Sequence, residues 1–141
     1  MIDRDRLRSQ LKLHEGVRAK PYKDTVGKTT IGCGRNLDDV GLSADEIDFL
    51  LGNDISTAEG HCYRLPWFKA LDQVRQNAVC ELVFNMGPAK FAGFKKFAAA
   101  MEDGNWIKAQ EELLDSKWRT DVGPIRSTRL ANMILTGEFP V

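Results

Sequence analysis

Residues 18–35 read RAKPYKDTVGKTTIGCGR, and this stretch decides the fold class. It is poor helix material, because it combines Pro21 with several glycines and threonines. Residues 29–31, Thr-Thr-Ile, favour a strand, and Asp24–Gly27 has the composition of a turn. We therefore predict a small β-hairpin or three-stranded meander in this part of the chain.

Helical patterns lie on both sides of this stretch. Asp3 can cap a first helix over residues 3–15, and Gly16 is a plausible stop. Ser43 and Glu46 form a capping box that opens a helix running to about residue 60. Further helices are predicted from their capping or first-turn residues, which are Pro66 (through Leu71), Asp72, Asn105 and Pro124.

An aromatic stripe at helical spacing predicts one more helix, and we interpret it as core; its members are Phe91, Phe94, Phe97 and Met101. Together these patterns predict a mainly helical α+β protein, with a small β element near the N-terminus and a helical lobe in most of the rest. A chain of 141 residues fits one domain or two small lobes that share a core.

The formal net charge is +0, so the chain lacks the basic excess expected of a nucleic-acid-binding protein, and we expect no nucleic-acid partner. The charge is nevertheless uneven, with a net +5 over residues 1–35 and −7 over residues 36–60. This pattern indicates either two solvated faces of opposite sign or a basic segment that attracts an anionic polymer.

Cys33, Cys62 and Cys80 are odd in number and follow no metal-binding spacing, which favours reduced thiols over a disulfide framework or a zinc site. The N-terminus has no apolar signal region, and no stretch is long and apolar enough for a membrane span. We therefore expect synthesis in the bacterial cytosol without membrane insertion.

Two carboxylates lie in positions that suit chemistry. Glu15 ends the first predicted helix, Asp24 follows nine residues later in the turn, and Thr30 comes six residues after that. A hairpin that folds back on the helix end could bring all three to one cleft. The structural alternatives are that Glu15 is only solvated, and that Asp24 is present for the hydrogen bonds of its turn.

Glycoside hydrolysis needs one carboxylic acid that keeps its proton and a second carboxylate that stays charged. Partial burial usually raises the pKa of the acid, and the apolar neighbours of Glu15 favour that role; they are Leu11, Leu13 and Val17. Asp24 lies among Lys23, Thr25 and Lys28, which favours the charged form. Chemistry of this kind requires no metal and no cofactor.

The order His14-Glu15-Gly16, then Tyr22-Lys23-Asp24 with Gly27, then residues 29–34 (TTIGCG) resembles the active-site segment of the phage-type lysozymes, or endolysins. Later segments resemble the helical lobe of the same family: residues 84–87 (FNMG), 91–94 (FAGF), 117–118 (KW), Arg126 and 135–139 (LTGEF). The resemblance covers the chain from about residue 5 to residue 139.

This resemblance implies one lysozyme catalytic domain over residues 1–141. Its β lobe would cover about residues 16–42, and a bridging helix about residues 43–60. The helical lobe would comprise about residues 61–141 together with the helix over residues 3–15.

The resemblance also implies hydrolysis of the β-1,4 bond between N-acetylmuramic acid and N-acetylglucosamine in peptidoglycan. Glu15 would be the general acid, Asp24 would act across the sugar ring, and Thr30 would position the water. Family members are generally regarded as inverting, but the sequence does not give the carboxylate separation that decides between inversion and retention.

Other site residues follow from the same resemblance. Arg126, with Arg129 as the alternative, would lie near the catalytic glutamate, and His14 would support it. Glycan contacts are expected from Tyr22, Asn36, Phe84 and Asn85, although Phe84 could equally be a core residue. The chain departs from the family at Arg35, where a histidine is usual, and we expect an acidic partner for it among Asp38, Asp39 and Asp54.

Two rival functions remain open at this point. One is an inactive or tail-associated wall-binding domain with the same fold, and the other is a small helical DNA-binding protein. For the hydrolase, we expect a monomer that accumulates in the host cytoplasm and reaches the wall in the periplasm through a holin-type pore.

Overall fold

The computed structural model describes residues 1–140, so Val141, the last residue of the predicted domain, lies outside the described residues. Its strands are β1 (Arg18–Lys23), β2 (Thr29–Gly32) and β3 (Arg35–Asn36). Its helices are α1 (Arg4–Glu15), α2 (Ala44–Cys62), α3 (Gln73–Met86), α4 (Pro88–Ala92), α5 (Lys95–Glu102), α6 (Trp106–Leu114), α7 (Lys117–Val122) and α8 (Pro124–Thr136). The predicted mainly helical α+β fold is confirmed.

The chain forms two compact units, Met1–Leu50 and Leu51–Val141. The first unit contains α1, the sheet and the beginning of α2, and the second contains the remaining helices. The predicted assignment of residues 3–15 to a helical lobe stays a prediction. Within residues 1–140, no helix combines the length and apolar character needed to cross a bilayer.

The β element is an antiparallel meander in the order β1-β2-β3, which is one of the two predicted forms. Tyr22 on β1 and Asn36 on β3 flank Thr30 on the central strand. The β1–β2 register is irregular between Arg18 and Tyr22. Pro21 lies in that interval, and because proline has no N–H it cannot donate to a regular ladder. The meander therefore places Thr30 at its centre, where only 3% of the residue is exposed.

A charged network joins the sheet to the start of α2. Ser43 and Glu46 form the predicted capping box, with Ser43 N donating to Glu46 Oε1 (2.9 Å) and Glu46 N donating to Ser43 Oγ (3.2 Å). Arg35 Nη1 donates to the same Glu46 oxygen (2.7 Å) and to Gly41 O (3.1 Å). The expectation that Arg35 pairs with Asp38, Asp39 or Asp54 was wrong, because Glu46 is its partner.

The second unit has the buried core. Its largest fully buried side chains come from a turn segment and four helices, and they are Phe68, Leu82, Phe97, Met101, Leu113, Leu130 and Ile134. Arg75 on α3 holds the end of α8, because its Nε donates to Ile134 O (2.7 Å) and its Nη2 to Leu135 O (3.0 Å). These carbonyls lie in the last turn of α8 and lack partners within the helix. Charge-assisted bonds of this kind contribute roughly 1.5–3 kcal/mol each.

Two helix predictions in the second unit need correction, and one helix of this unit was missed. Residues 66–71 form successive turns rather than a helix, with Phe68 N donating to Leu65 O and Leu71 N to Phe68 O. The aromatic stripe is divided between α4 and α5, because the chain bends at Gly93, whose N–H donates to Lys90 O. Helix α7 was not predicted. The interpretation of the stripe as core is confirmed, since Phe91, Phe97 and Met101 are buried.

Glu46 makes the stability of the fold depend on acidity. The Arg35 hydrogen bond, followed by those of Ser43, lowers the pKa of Glu46 to about 2. A carboxylate with a lowered pKa stabilises the folded chain above its unfolded pKa, and this stabilisation is lost as pH falls through the folded value. We predict that the urea midpoint of the wild type falls between about pH 4.3 and 2 more steeply than that of Glu46→Gln.

The matched control for this titration is Glu102→Gln on the exposed side of α5, which should follow the wild-type pH profile. Parallel profiles for the wild type and Glu46→Gln would contradict the assigned role of Glu46.

Candidate active site

Glu15 is the last residue of α1, and its carboxylate lies against the turn between β2 and β3. A Cβ atom placed on Gly34 would be 3.0 Å from Glu15 Oε2 and 3.3 Å from Glu15 Cδ. Gly34 has a φ of +74°, a conformation that glycine adopts without strain. The glycine therefore serves both the turn and the close approach of Glu15, and this second role was not predicted.

The apolar neighbours of Glu15 do not bury it. Leu13 is 80% exposed, Val17 is 65% exposed and Leu11 is 44% exposed. Helix α1 has no buried residue, and Glu15 itself is exposed. The prediction that these three neighbours partly bury Glu15 is therefore wrong.

Asp24 is half-buried and is held by the turn between β1 and β2. Its Oδ1 accepts hydrogen bonds from Val26 N (3.0 Å) and Lys28 N (2.8 Å), and its carbonyl accepts from Gly27 N (3.0 Å). These are the hydrogen bonds expected of an aspartate that stabilises its own turn. Both side-chain bonds use Oδ1, and within residues 1–140 Oδ2 accepts none, so a carboxylate in fixed orientation keeps one oxygen for another partner.

Thr30 Oγ1 donates a hydrogen bond to Lys28 O at 3.1 Å. Lys28 also belongs to the loop that Asp24 Oδ1 stabilises, because its N–H donates to that oxygen. The lone pairs of the hydroxyl oxygen can then accept a hydrogen bond from water. The backbone register places Thr30 in the middle of the sheet. A single loop therefore fixes both Asp24 and Thr30.

Of the other predicted residues of the first unit, Tyr22 and Asn36 have structural partners. The Arg18 guanidinium lies 4.4 Å from the centre of the Tyr22 ring. Asn36 Nδ2 donates to Asp39 Oδ2 (3.0 Å), and Asn36 Oδ1 accepts from Asp39 N (2.9 Å). His14 is exposed in the last turn of α1. Glycan contacts by Tyr22 and Asn36, and support of Glu15 by His14, stay predictions.

Asp38 provides a fixed negative charge beside the sheet. Its Oδ2 accepts from Thr29 N at 2.8 Å. This backbone hydrogen bond lowers the pKa of the Asp38 carboxyl group, with further lowering by the charges of Lys23 and Lys28. The bond ties the residues after β3 back to the first residue of β2.

The remaining predicted site residues belong to the second unit. Phe84 on α3 is 45% exposed and lines a cavity of about 670 Å³, so it is not a core residue. Asn85 Oδ1 accepts from Trp118 Nε1 (3.0 Å), a bond that joins α3 to α7. Arg126 Nε donates to Glu81 Oε2 (2.9 Å), whereas Arg129 is exposed. Support of Glu15 by Arg126, or by Arg129 as the alternative, stays a prediction.

The first unit thus presents a carboxyl group against a glycine turn, with a second carboxylate and a hydroxyl fixed by one loop. Groups of these kinds are those that glycosidases working with two carboxylates and water require. Within residues 1–140, no group of three or more histidine, cysteine, aspartate or glutamate side chains is placed to hold a metal ion.

Comparison with known proteins identifies the family within this class. The sequence model of the family described as Phage lysozyme matches residues 12–132, so the chain belongs to the phage lysozyme family. It is an enzyme of the lysozyme type, a peptidoglycan hydrolase of the muramidase kind. This membership also confirms the resemblance found in the sequence.

Three relatives illustrate the family. The chain is 30% identical to Probable T4-type lysozyme 2 of Dictyostelium discoideum, over 94% of this chain and 95% of that protein. It is 32% identical to Endolysin of Salmonella phage P22, over 60% of this chain and 63% of that protein. It is 27% identical to the pre-baseplate central spike protein Gp5 of Enterobacteria phage T4, over 92% of this chain and 27% of that protein.

The contact between Glu15 and Gly34 generates a prediction. The substitution Gly34→Ala would place a Cβ 3.0 Å from Glu15 Oε2, at a φ where side chains are rarely found. We expect the carboxylate to be displaced and wall-hydrolysing activity to fall at least about 10-fold, since small misplacements of reacting groups are costly. Turbidity clearance of permeabilised Gram-negative cells would measure the loss.

The control is Gly123→Ala, at a positive φ between α7 and α8 and with nothing within 4 Å of the added Cβ. It carries a similar backbone strain without the contact to Glu15. Equal activity losses for the two variants would show that strain alone, and not the position of Glu15, explains the effect.

Proposed function

We propose that the chain hydrolyses the β-1,4 bond between N-acetylmuramic acid and N-acetylglucosamine, and that this cleavage lyses the bacterial host. The proposal rests mainly on one observation: Glu15 is exposed against Gly34 in the same unit in which Asp24 keeps Oδ2 free of protein hydrogen bonds. An exposed acid can reach the glycosidic oxygen of a polymer. A bound glycan would then cover the carboxyl group, which the protein itself leaves open.

In the proposed reaction, Glu15 donates its proton to the glycosidic oxygen as the bond from that oxygen to the anomeric carbon breaks. A water molecule attacks the anomeric carbon from the other face of the ring and transfers its proton to Asp24. Thr30 Oγ1 accepts a hydrogen bond from this water. Proton exchange with solvent restores the charged Asp24 and the protonated Glu15.

The role of Glu15 is tested with an isosteric amide. We expect Glu15→Gln to lose about 10²–10⁴-fold in clearance of permeabilised Gram-negative cells, because the amide cannot donate the proton in general-acid catalysis. Glu102→Gln, an identical change at an exposed site on α5, should retain full activity. Equal clearing by the wild type and Glu15→Gln would refute the assignment.

Attack by water predicts inversion at the anomeric carbon, whereas attack by Asp24 itself would give retention. Proton NMR of a peptidoglycan fragment, recorded within the first minutes of cleavage, distinguishes the two products by their anomeric signals. We expect the first product to be the α-anomer. An initial β-anomer would assign Asp24 as the nucleophile.

The proposed biological setting is release of phage from the host cell. The enzyme would accumulate in the cytoplasm as a monomer and reach the peptidoglycan through a holin-type pore. The match to Endolysin of phage P22 supports this setting. Cell fractionation before membrane permeabilisation tests this setting. Finding the protein already in the periplasm would overturn it.

A second candidate is wall cleavage by a tail-associated protein during entry. The match to the spike protein Gp5, which covers nearly all of this chain, favours this reading. Immunodetection in purified virions separates the two settings. Detection in virions would favour entry, whereas confinement to the lysate would favour release.

A further inference from the structure

Two thiols of the second unit lie in contact. Cys62 Sγ and Cys80 Sγ are 3.5 Å apart and form a hydrogen bond. Cys62 is the last residue of α2 and is fully buried, whereas Cys80 lies within α3 and is half-buried. The third cysteine, Cys33, is exposed in the first unit. Adjacency of two thiols on different helices was not predicted, because their separation of 18 residues has no sequence signature.

The two thiols differ in the properties that govern thiol–disulfide exchange. The hydrogen bond between the two sulfurs lowers the pKa of the Cys80 thiol. The same bond, followed by burial and the charges of Cys80 and Glu59, raises the pKa of Cys62. Cys80 also lines the cavity of about 670 Å³ beside Phe84, whereas Cys62 is fully buried. Cys80 is therefore the attacking thiol of the pair.

We propose that Cys62 and Cys80 form a reversible disulfide that joins the end of α2 to α3 when the protein meets a disulfide oxidant such as oxidised glutathione. Disulfide formation would shorten the distance between the two sulfurs from 3.5 Å to about 2.05 Å. The proposal concerns a redox device that hydrolysis of glycan does not use.

The chemistry balances with one oxidised glutathione. The Cys80 thiolate attacks one sulfur of glutathione disulfide, forms a mixed disulfide and releases a first glutathione thiolate. The mixed disulfide removes the hydrogen bond that chiefly raises the pKa of Cys62, so Cys62 can lose its proton. Its thiolate attacks the Cys80 sulfur and releases the second glutathione. Both cysteine protons end on glutathione, the protein is oxidised and glutathione disulfide is reduced.

The bond would close a loop that is held mainly by turns. Residues 63–72 between the two helices form successive turns, yet they carry the buried Trp67 and Phe68. A covalent link across this loop restricts the unfolded chain and so stabilises the folded one. One further point rests on the proposed function: passage from a reducing cytosol to an oxidising periplasm would cause the disulfide to form.

The test uses the full chain with Cys33→Ser, which removes the exposed thiol. The protein is equilibrated in glutathione buffers of increasing oxidised fraction and analysed by intact mass and peptide mapping. We expect loss of two hydrogen atoms, a peptide linked through Cys62 and Cys80, and a rise of about 5–10 °C in Tm. Dithiothreitol should reverse both changes.

The controls are Cys33→Ser/Cys62→Ser and Cys33→Ser/Cys80→Ser. The first should stop at the mixed disulfide on Cys80, and the second should react far more slowly, because only the buried thiol remains. A Cys33→Ser protein that gains only mixed glutathione adducts, or that stays reduced, overturns the proposal. The readout is mass, so this result is independent of whether the protein cleaves the proposed glycosidic bond.

Discussion

The close approach of the Glu15 carboxylate to Gly34 is the constraint on which the site depends. It requires a residue without Cβ at a positive φ in the turn between β2 and β3. The same turn begins β3, whose Arg35 reaches Glu46 at the start of α2. The conformation of Gly34 therefore determines where the Glu15 carboxylate lies. It also precedes Arg35, whose bond to Glu46 anchors the start of α2.

The start of a helix was predictable wherever a side chain caps it. Asp3, Asp72 and Asn105 each accept a hydrogen bond from a backbone N–H three residues later. Because this interaction is local, the type and position of the capping residue predict it. The bend at Gly93 and the turns of residues 66–71 were not predictable in the same way. They depend on how buried aromatic side chains pack against distant helices, and tertiary packing overrides local propensity.

The candidate site shows the same division. The position of Glu15 at a helix end followed from Gly16, and the turn at Asp24 followed from its composition. The exposure of Glu15 did not follow from the sequence. Leu13 points to another side of α1 and Val17 lies beyond its end, while Leu11, one turn before Glu15, is itself 44% exposed. The partner of Arg35 was missed for a related reason. Glu46 is eleven residues away, and the pattern of charges does not predict the turn that brings the two side chains together.

Arg75 has a consequence for how the second unit comes apart. Its guanidinium binds two carbonyls at the end of α8, stacks 4.0 Å from the centre of the Trp106 ring, and occupies the space beside Gly137. Chain ends usually fray independently of the core. Here, fraying of the last turn must remove two acceptors from a cation whose side chain is only 12% exposed, so amide exchange near the C-terminus should follow the cooperative opening of α3 and α6.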